Sequence, residues 1–291
     1  MAFSIGASEL IITATGAIYH LNLRPEQLAD TVITVGDPGR VAEVSKYFDR
    51  IEHKEIHREF ITHTGYVGKK RISVVSTGIG PDNIDIVLNE LDALVNIDFA
   101  TRTVKDQEQS LQIIRLGTSG SLQADIATDS LVVADFGIGL DNLMHYYEWE
   151  NNVEESTLQH QFSQHTQLDK TNIKPYVISS SRMLSNHFQE GYHHGITVTC
   201  PGFYGPQGRV LRAPVANRQL IDSLTSFDYP VRITNFEMET SAIYGLGRVL
   251  HHHCLSVNTI VANRVAKTFS KDAASAIDHM IRHSLAIIEK I

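Results

Sequence analysis

Cysteine is nearly absent from this 291-residue chain: it has two, Cys200 and Cys254, without C-x-x-C spacing. That excludes a disulfide framework, and both read as small buried hydrophobes of a protein kept in a reducing cytoplasm. Net positive charge is also lacking. Lys and Arg number 25 against 33 Asp and Glu, a formal charge of -8, so no broad basic field exists to hold a nucleic-acid backbone. No run approaches the roughly 18 consecutive apolar residues of a membrane span. The N-terminal segment carries Glu9 and no Lys or Arg before Arg24, so it lacks the basic start of a secretory signal. Neither a G-x-S-x-G elbow nor a G-x-G-x-x-G fingerprint occurs. Histidine is plentiful, with 15 residues that include His193-His194 and His251-His252-His253. Adjacent side chains on one element cannot all face one ion, and no H-E-x-x-H accompanies them, so no metal site is expected.

What is present is a chain with 42% hydrophobic residues, enough for a large core. β-branched runs ending in glycine or a polar turn lie at 31–36, 71–78, 112–117 and 131–135, and again at 176–180, 196–200, 231–235 and 255–263. They read as buried strands. Ile84, Leu88, Leu91 and Val95 form one helical face, as do Ile277, Ile281, Leu285 and Ile288. The alternation predicts one α/β domain over residues 1–291, a three-layer α/β/α arrangement with its ligand site at strand C-termini. The polar stretches 151–172 and 101–110 are expected to be surface loops without chemistry.

Several strand ends carry groups suited to ligands. Gly36-Asp37-Pro38-Gly39-Arg40 precedes a predicted helix, where backbone N–H groups and Arg40 would meet an anion; alone it reads equally well as a plain βα turn. Arg115-Leu116-Gly117-Thr118-Ser119-Gly120 offers a guanidinium and hydroxyls, and Arg58 would complete an arginine cluster or else pair with Glu55 or Glu59. The Ser76-Thr77-Gly78-Ile79-Gly80 turn permits close backbone approach to a ligand. In Phe203-Tyr204-Gly205-Pro206-Gln207-Gly208-Arg209, one amide and one guanidinium supply the donors and acceptor that a pyrimidine edge requires, although a Gly-Pro turn with a solvated Arg is the simpler account of that motif by itself. Glu237-Met238-Glu239 could bind sugar hydroxyls under an apolar thioether cover, and Asn263-Arg264 ends the last long strand.

Taken in chain order, GDPGR, HREF, STGIG, RLGTSG, FYGPQGR, FEMET and VANR resemble the nucleoside phosphorylase superfamily, most closely its uridine phosphorylase branch, from about Tyr19 onward. The resemblance implies a mixed, partly barrel-like central sheet, and homo-oligomers built from dimers, up to hexamers, with active sites at the dimer interface. It implies that Gly36, Arg40, Arg115 and Thr118 bind phosphate with Arg58 from a neighbouring subunit. Glu237, Met238 and Glu239 would hold ribose, with His20 of the neighbour at its 5′ end, and Phe203, Gln207, Arg209 and Arg264 would form the base pocket. Arg40, Arg115, Gln207 and Arg209 would carry catalysis. Purine-specific relatives place an aspartate beside Arg264 to protonate the purine; Asn263 stands here, which favours a pyrimidine.

The resemblance implies no cofactor: inorganic phosphate is a co-substrate, and phosphate, not a protein nucleophile, attacks C1′. Some relatives bind potassium between subunits through positions matching Glu59, Ile79 and Asn83, but Pro81-Asp82-Asn83 departs from the family continuation and counts against the ion. The alternatives are a purine nucleoside phosphorylase or hydrolytic nucleosidase of the same superfamily, and, from another class, a silent nucleoside-binding protein. Neither nucleic acid nor membrane is an expected partner.

Overall fold

A computed structural model describes residues 4–291. β1 (Thr31–Val35) leads into α1 (Pro38–Ser45), the hairpin β2 (Arg50–His57) and β3 (Phe60–Val67), then β4 (Lys70–Ser76) and α2 (Pro81–Asn96). A short ladder of β5 (Ile97–Asp98) and β6 (Thr103–Val104) precedes β7 (Gln112–Ser121) and β8 (Leu131–Gly139). Next come α3 (Val153–Thr166), β9 (Tyr176–Ser179), α4 (Arg182–Ser185), β10 (Tyr192–Thr199) and α5 (Leu220–Thr225). β11 (Ile233–Glu237), α6 (Thr240–Val249), β12 (His253–Asn263), β13 (Thr268–Phe269) and α7 (Ala273–Ile288) complete the order.

All eight runs read as strands are strands. They are buried because the sheet is covered on both sides, and alternation sorts their side chains between two helical layers. Val32 of β1 joins Ile84, Leu88 and Leu91 of α2 and Ile243 of α6. Its neighbours Ile33 and Val35 join Val41 of α1 and Met280, Ile281 and Leu285 of α7. A third core packs Phe136, Val198 and Phe236 against Leu158 and Phe162 of α3 and Leu224 of α5.

The sheet closes on part of its width. Its strand order is β13-β12-β8-β10-β11-β7-β1-β4-β3-β2, with β9 beside β8, and β12 also pairs with β7. Strands β12, β8, β10, β11 and β7 therefore form a ring, and β1 to β4 extend from it as an open, mixed sheet. β12 runs parallel to β7 from His253 opposite Gln112 to Asn263 opposite Ser121, and antiparallel to β8. The expected barrel-like closure is present.

Two expectations are corrected. Residues 151–172 are not a loop: α3 occupies most of them, with Leu158 and Phe162 fully buried one helical turn apart. Asn152 caps it by accepting the Glu155 N–H at 2.9 Å while the Glu155 carboxylate accepts the Asn152 N–H at 3.0 Å, a reciprocal capping box. The 101–110 stretch is only partly loop, since Thr103–Val104 pairs with Ile97–Asp98. Arg102 there donates to the carbonyls of Ile5 (3.0 Å), Gly6 (3.2 Å) and Leu10, tying down the N-terminal segment. The three consecutive histidines face three ways, His251 to Glu108, His252 toward Asp92 and His253 to Ser181. Cys200 and Cys254 are buried and unpaired, and burial pushes both thiols far above their usual range.

Candidate active site

The ends of β1, β4, β7, β10, β11 and β12 border one cavity of about 700 Å³. It brings together Gly36, Arg40, Arg115, Thr118, Phe203, Gln207, Arg209, Glu237, Met238 and Glu239. Arg264 flanks it, while His20 and Arg58 lie outside their own chain's cavity.

One end is built for an anion. Pro38 starts α1 with its φ already set, and the Asp37 carboxylate caps the helix by accepting the Gly39 N–H at 2.9 Å. Arg40 follows on the first turn, its Nη1 3.4 Å from the Leu116 carbonyl oxygen. Burial, and then the positive charge of Arg115, lower the Arg40 pKa; a confined cation beside another cation is relieved by an entering oxyanion.

Arg115 is held from both ends. Its Nη1 donates to Asn258 Oδ1 at 2.6 Å, and its Nη2 lies 2.5 Å from Glu239 Oε2 and 3.2 Å from Glu237 Oε2. Burial works against its charge, but the two carboxylates outweigh it and raise its pKa. The guanidinium lies back over its own strand, where a Cβ on Gly117 would come within 1.8 Å of Nη1, so only glycine fits there.

Glu237 is largely spent inside the protein. It accepts from the Thr199 hydroxyl at 2.8 Å and from the backbone N–H groups of Glu239 and Thr240 at 2.9 and 3.0 Å, closing the start of α6. Glu239 accepts the Gly80 N–H at 2.8 Å, so the glycine turn after β4 meets this carboxylate. Burial raises the Glu239 pKa and Glu237 adds to the rise, against the pull of Arg115.

At the other end, the tight turn at Gly205–Gln207 closes with Gly208 in the left-handed region (φ 65°), which reverses the chain so that Gln207 and Arg209 converge. Arg209 donates to Gln207 Oε1 and, at 2.8 Å, to the Phe203 carbonyl oxygen, and stacks 3.7 Å from the Phe203 ring centre. Arg264 Nη1 donates to the Gln207 carbonyl oxygen at 3.1 Å and fixes this turn from behind. Phe236, buried beneath, has both guanidinium groups over its ring, at 5.7 and 5.6 Å. Asn263 is fully engaged elsewhere: its Nδ2 donates to the carbonyls of Gln123 (2.8 Å) and Ile126 (2.9 Å), and its Oδ1 accepts the N–H groups of Val265 (3.0 Å) and Ala266 (2.8 Å). Arg58 pairs with neither Glu55 nor Glu59; its Nη2 lies 3.2 Å from the Tyr19 hydroxyl.

Asn258, Phe236 and Phe269 belong to the site or its support and were not singled out from the sequence. An asparagine inside the apolar run Leu255–Asn263 is a signal for the first, since a buried amide needs partners. Glu59, Ile79 and Asn83 border the cavity together.

A model of the phosphorylase superfamily matches residues 30–289. A uridine phosphorylase from Thermococcus kodakarensis is 30% identical over 262 residues, covering 89% of this chain and 82% of that protein. A purine nucleoside phosphorylase of DeoD type from Buchnera aphidicola is 23% identical over 269 residues, covering 91% of this chain and 97% of that protein. Among solved structures, a Trypanosoma brucei nucleoside phosphorylase described as showing uridine phosphorylase activity superposes with a TM-score of 0.87 at 30% identity, over 97% of this chain and 98% of that one.

Proposed function

The chain belongs to the phosphorylase superfamily, and from that premise we propose that it is a uridine phosphorylase, a pentosyltransferase converting uridine and phosphate to uracil and ribose 1-phosphate. The observation that carries the base assignment is the Gln207–Arg209 fork beside Phe203. With one lone pair of Gln207 Oε1 occupied by Arg209, the amide still has an acceptor site and two donors for the adjacent N–H and carbonyl of a pyrimidine. Asn263 supports the same reading, because its amide is spent on four backbone groups and carries no acid for a purine ring.

The chemistry follows from charge. Phosphate sits on the Gly36 turn, Arg40, Arg115 and Thr118, with Arg58 from a second copy. One phosphate oxygen bonds to C1′ as the bond from C1′ to N1 breaks, and the bonding pair leaves with the base. The phosphate charge stabilises the cationic sugar, and Gln207 and Arg209 stabilise the departing uracil anion, which then takes a proton from solvent. Met238 covers the sugar, Glu239 accepts from its hydroxyls with Glu237 holding Arg115 and the start of α6 in place, and His20 of the second copy meets its 5′ end; alignment of this kind lowers the barrier further.

We place the enzyme in the cytoplasm as a homo-oligomer acting in pyrimidine nucleoside breakdown, with no cofactor beyond its co-substrate. The location of His20 and Arg58 outside their own cavity supports a site completed by a second copy. Ultraviolet-monitored cleavage of uridine and inosine, each with and without phosphate, tests the reading. Phosphate-dependent loss of uridine is expected; preferential cleavage of inosine overturns the base assignment, and cleavage without phosphate overturns the nucleophile.

A further inference from the structure

We propose that Glu90 is a positioning residue for this reaction: it fixes the His20 imidazole with its Nδ1–H turned inward and its Nε2 lone pair turned outward, toward the primary hydroxyl of a nucleoside bound by a second copy of the chain. The assignment rests on the functional reading above, in which His20 meets the 5′ end of the sugar.

Glu90 lies on α2 and touches no part of its own cavity. Its carboxylate accepts the backbone N–H of His20 at 2.9 and 3.0 Å, the N–H of Leu21 at 2.8 Å, and lies 2.7 Å from His20 Nδ1. A carboxylate receiving backbone donors on both oxygens acts as an acceptor, so the proton on the fourth contact belongs to Nδ1. In a neutral imidazole that leaves Nε2 as an acceptor, which is how a partner on one ring nitrogen dictates the chemistry of the other.

The segment is pinned from the opposite side as well. The His20 carbonyl oxygen lies 2.9 Å from His57 Nδ1, and the His20 ring packs edge-on against Tyr19 (4.8 Å) and Phe60 (6.3 Å). The ring is 27% exposed, and among the described residues its Nε2 has no hydrogen-bond partner. Tyr19 joins this histidine to Arg58, whose guanidinium lies 5.2 Å over the Tyr19 ring. His20 and Arg58, which lie outside their own cavity, thus both pack against one tyrosine, as a single preformed patch.

The test compares kcat/KM for uridine and for 5′-deoxyuridine at saturating phosphate, in the wild-type protein, Glu90→Gln and Glu90→Ala. Loss of an oriented hydrogen bond is expected to lower the uridine value about tenfold in both variants, with the 5′-deoxyuridine value changed less than about twofold. Equal falls for both substrates would mean general damage to the fold or assembly and would overturn the assignment, as would no fall for uridine. An independent readout is the ring 15N spectrum of the wild-type protein, with the His20 signal identified by its loss in His20→Asn. A proton on Nδ1 is expected, and a neutral ring protonated on Nε2 overturns the proposal. If the wild-type protein cleaves neither nucleoside, the functional reading itself fails and the role of Glu90 falls with it.

Discussion

Arg115 and Glu239 meet at 2.5 Å inside the cavity, each with a side chain only 6% exposed. The cation assigned to phosphate therefore rests against the carboxylate assigned to the sugar. The two sides of that contact are unequal, because Arg115 also has Glu237 at 3.2 Å, whereas among the described residues Arg115 is the one cation bonded to both carboxylates. Arg115→Ala strands two buried negative charges and is expected to cost about 3 kcal/mol of stability or more, together with phosphorolysis. Glu239→Gln leaves Arg115 paired with Glu237, so stability should change little while uridine turnover falls sharply. Chemical denaturation and kcat/KM for uridine on both variants check the asymmetry.

Gly117→Ala places a methyl group where the Arg115 guanidinium lies. The arginine must leave its contact with Asn258, and KM for phosphate is expected to rise by about tenfold or more, the worth of one charge-assisted hydrogen bond. Initial rates against phosphate concentration check this; an unchanged phosphate KM would show that Arg115 does not bind the anion in this pose.

Burial raises the Glu239 carboxyl above the ordinary glutamate range. Protonation takes away the negative charge and turns one oxygen into a donor, weakening the acceptor that the sugar hydroxyls use, so nucleoside affinity should fall as pH drops through that raised value, above the 4.5 of an unperturbed glutamate. Calorimetric binding of uridine without phosphate, across mildly acidic pH, isolates the effect from the ionisation of phosphate itself. Glu239→Gln should bind weakly and without that pH dependence.

Glu155 shows the opposite sign. Burial alone would raise its pKa, but Arg248, the Asn152 N–H and Ser179 together hold it at about 2, with Arg248 Nη2 2.5 Å from Oε1. The depressed value means that its stabilisation is present above pH 4.5 and is lost as pH falls toward 2. The shift corresponds to about 3 kcal/mol. Urea unfolding between neutral and acidic pH should give a flatter stability curve for Glu155→Gln than for the wild-type protein over that window.

Asn263→Asp introduces the acid that the family resemblance implies for a purine-cleaving site, but here it should not confer inosine cleavage. An ionised carboxylate cannot donate to the carbonyls of Gln123 and Ile126, so the expected outcome is a loss of about 2 kcal/mol with base preference unchanged. Thermal melting and inosine assays check both halves.

Most of the strand ends that build the cavity were legible because each couples a buried β-branched run to a glycine or charged turn, as at Thr31–Gly36 and Gln112–Gly117. α3 was missed although Asn152 and Glu155 carry a capping signature, because the polar residues between Leu158 and Phe162 mask a narrow apolar stripe. The β2–β3 hairpin was missed because β2, an edge strand, is mostly exposed and has no apolar run. Asn258 and Glu90 act through partners 143 and 70 residues away in sequence, and no local pattern announces a contact that only the tertiary fold creates.

A sheet with ends can shear, one strand slipping past its neighbour while the rest stay put. In the ring formed by β12, β8, β10, β11 and β7, a slip at one seam must be matched around the whole circumference. Asn258 on β12 stands opposite Gly117 of β7 and is hydrogen-bonded to Arg115 across such a seam, so their spacing is fixed as the staves of a cask fix its bore. Loops beyond the rim are free to diverge in length and composition, and the anion site would keep the same gauge.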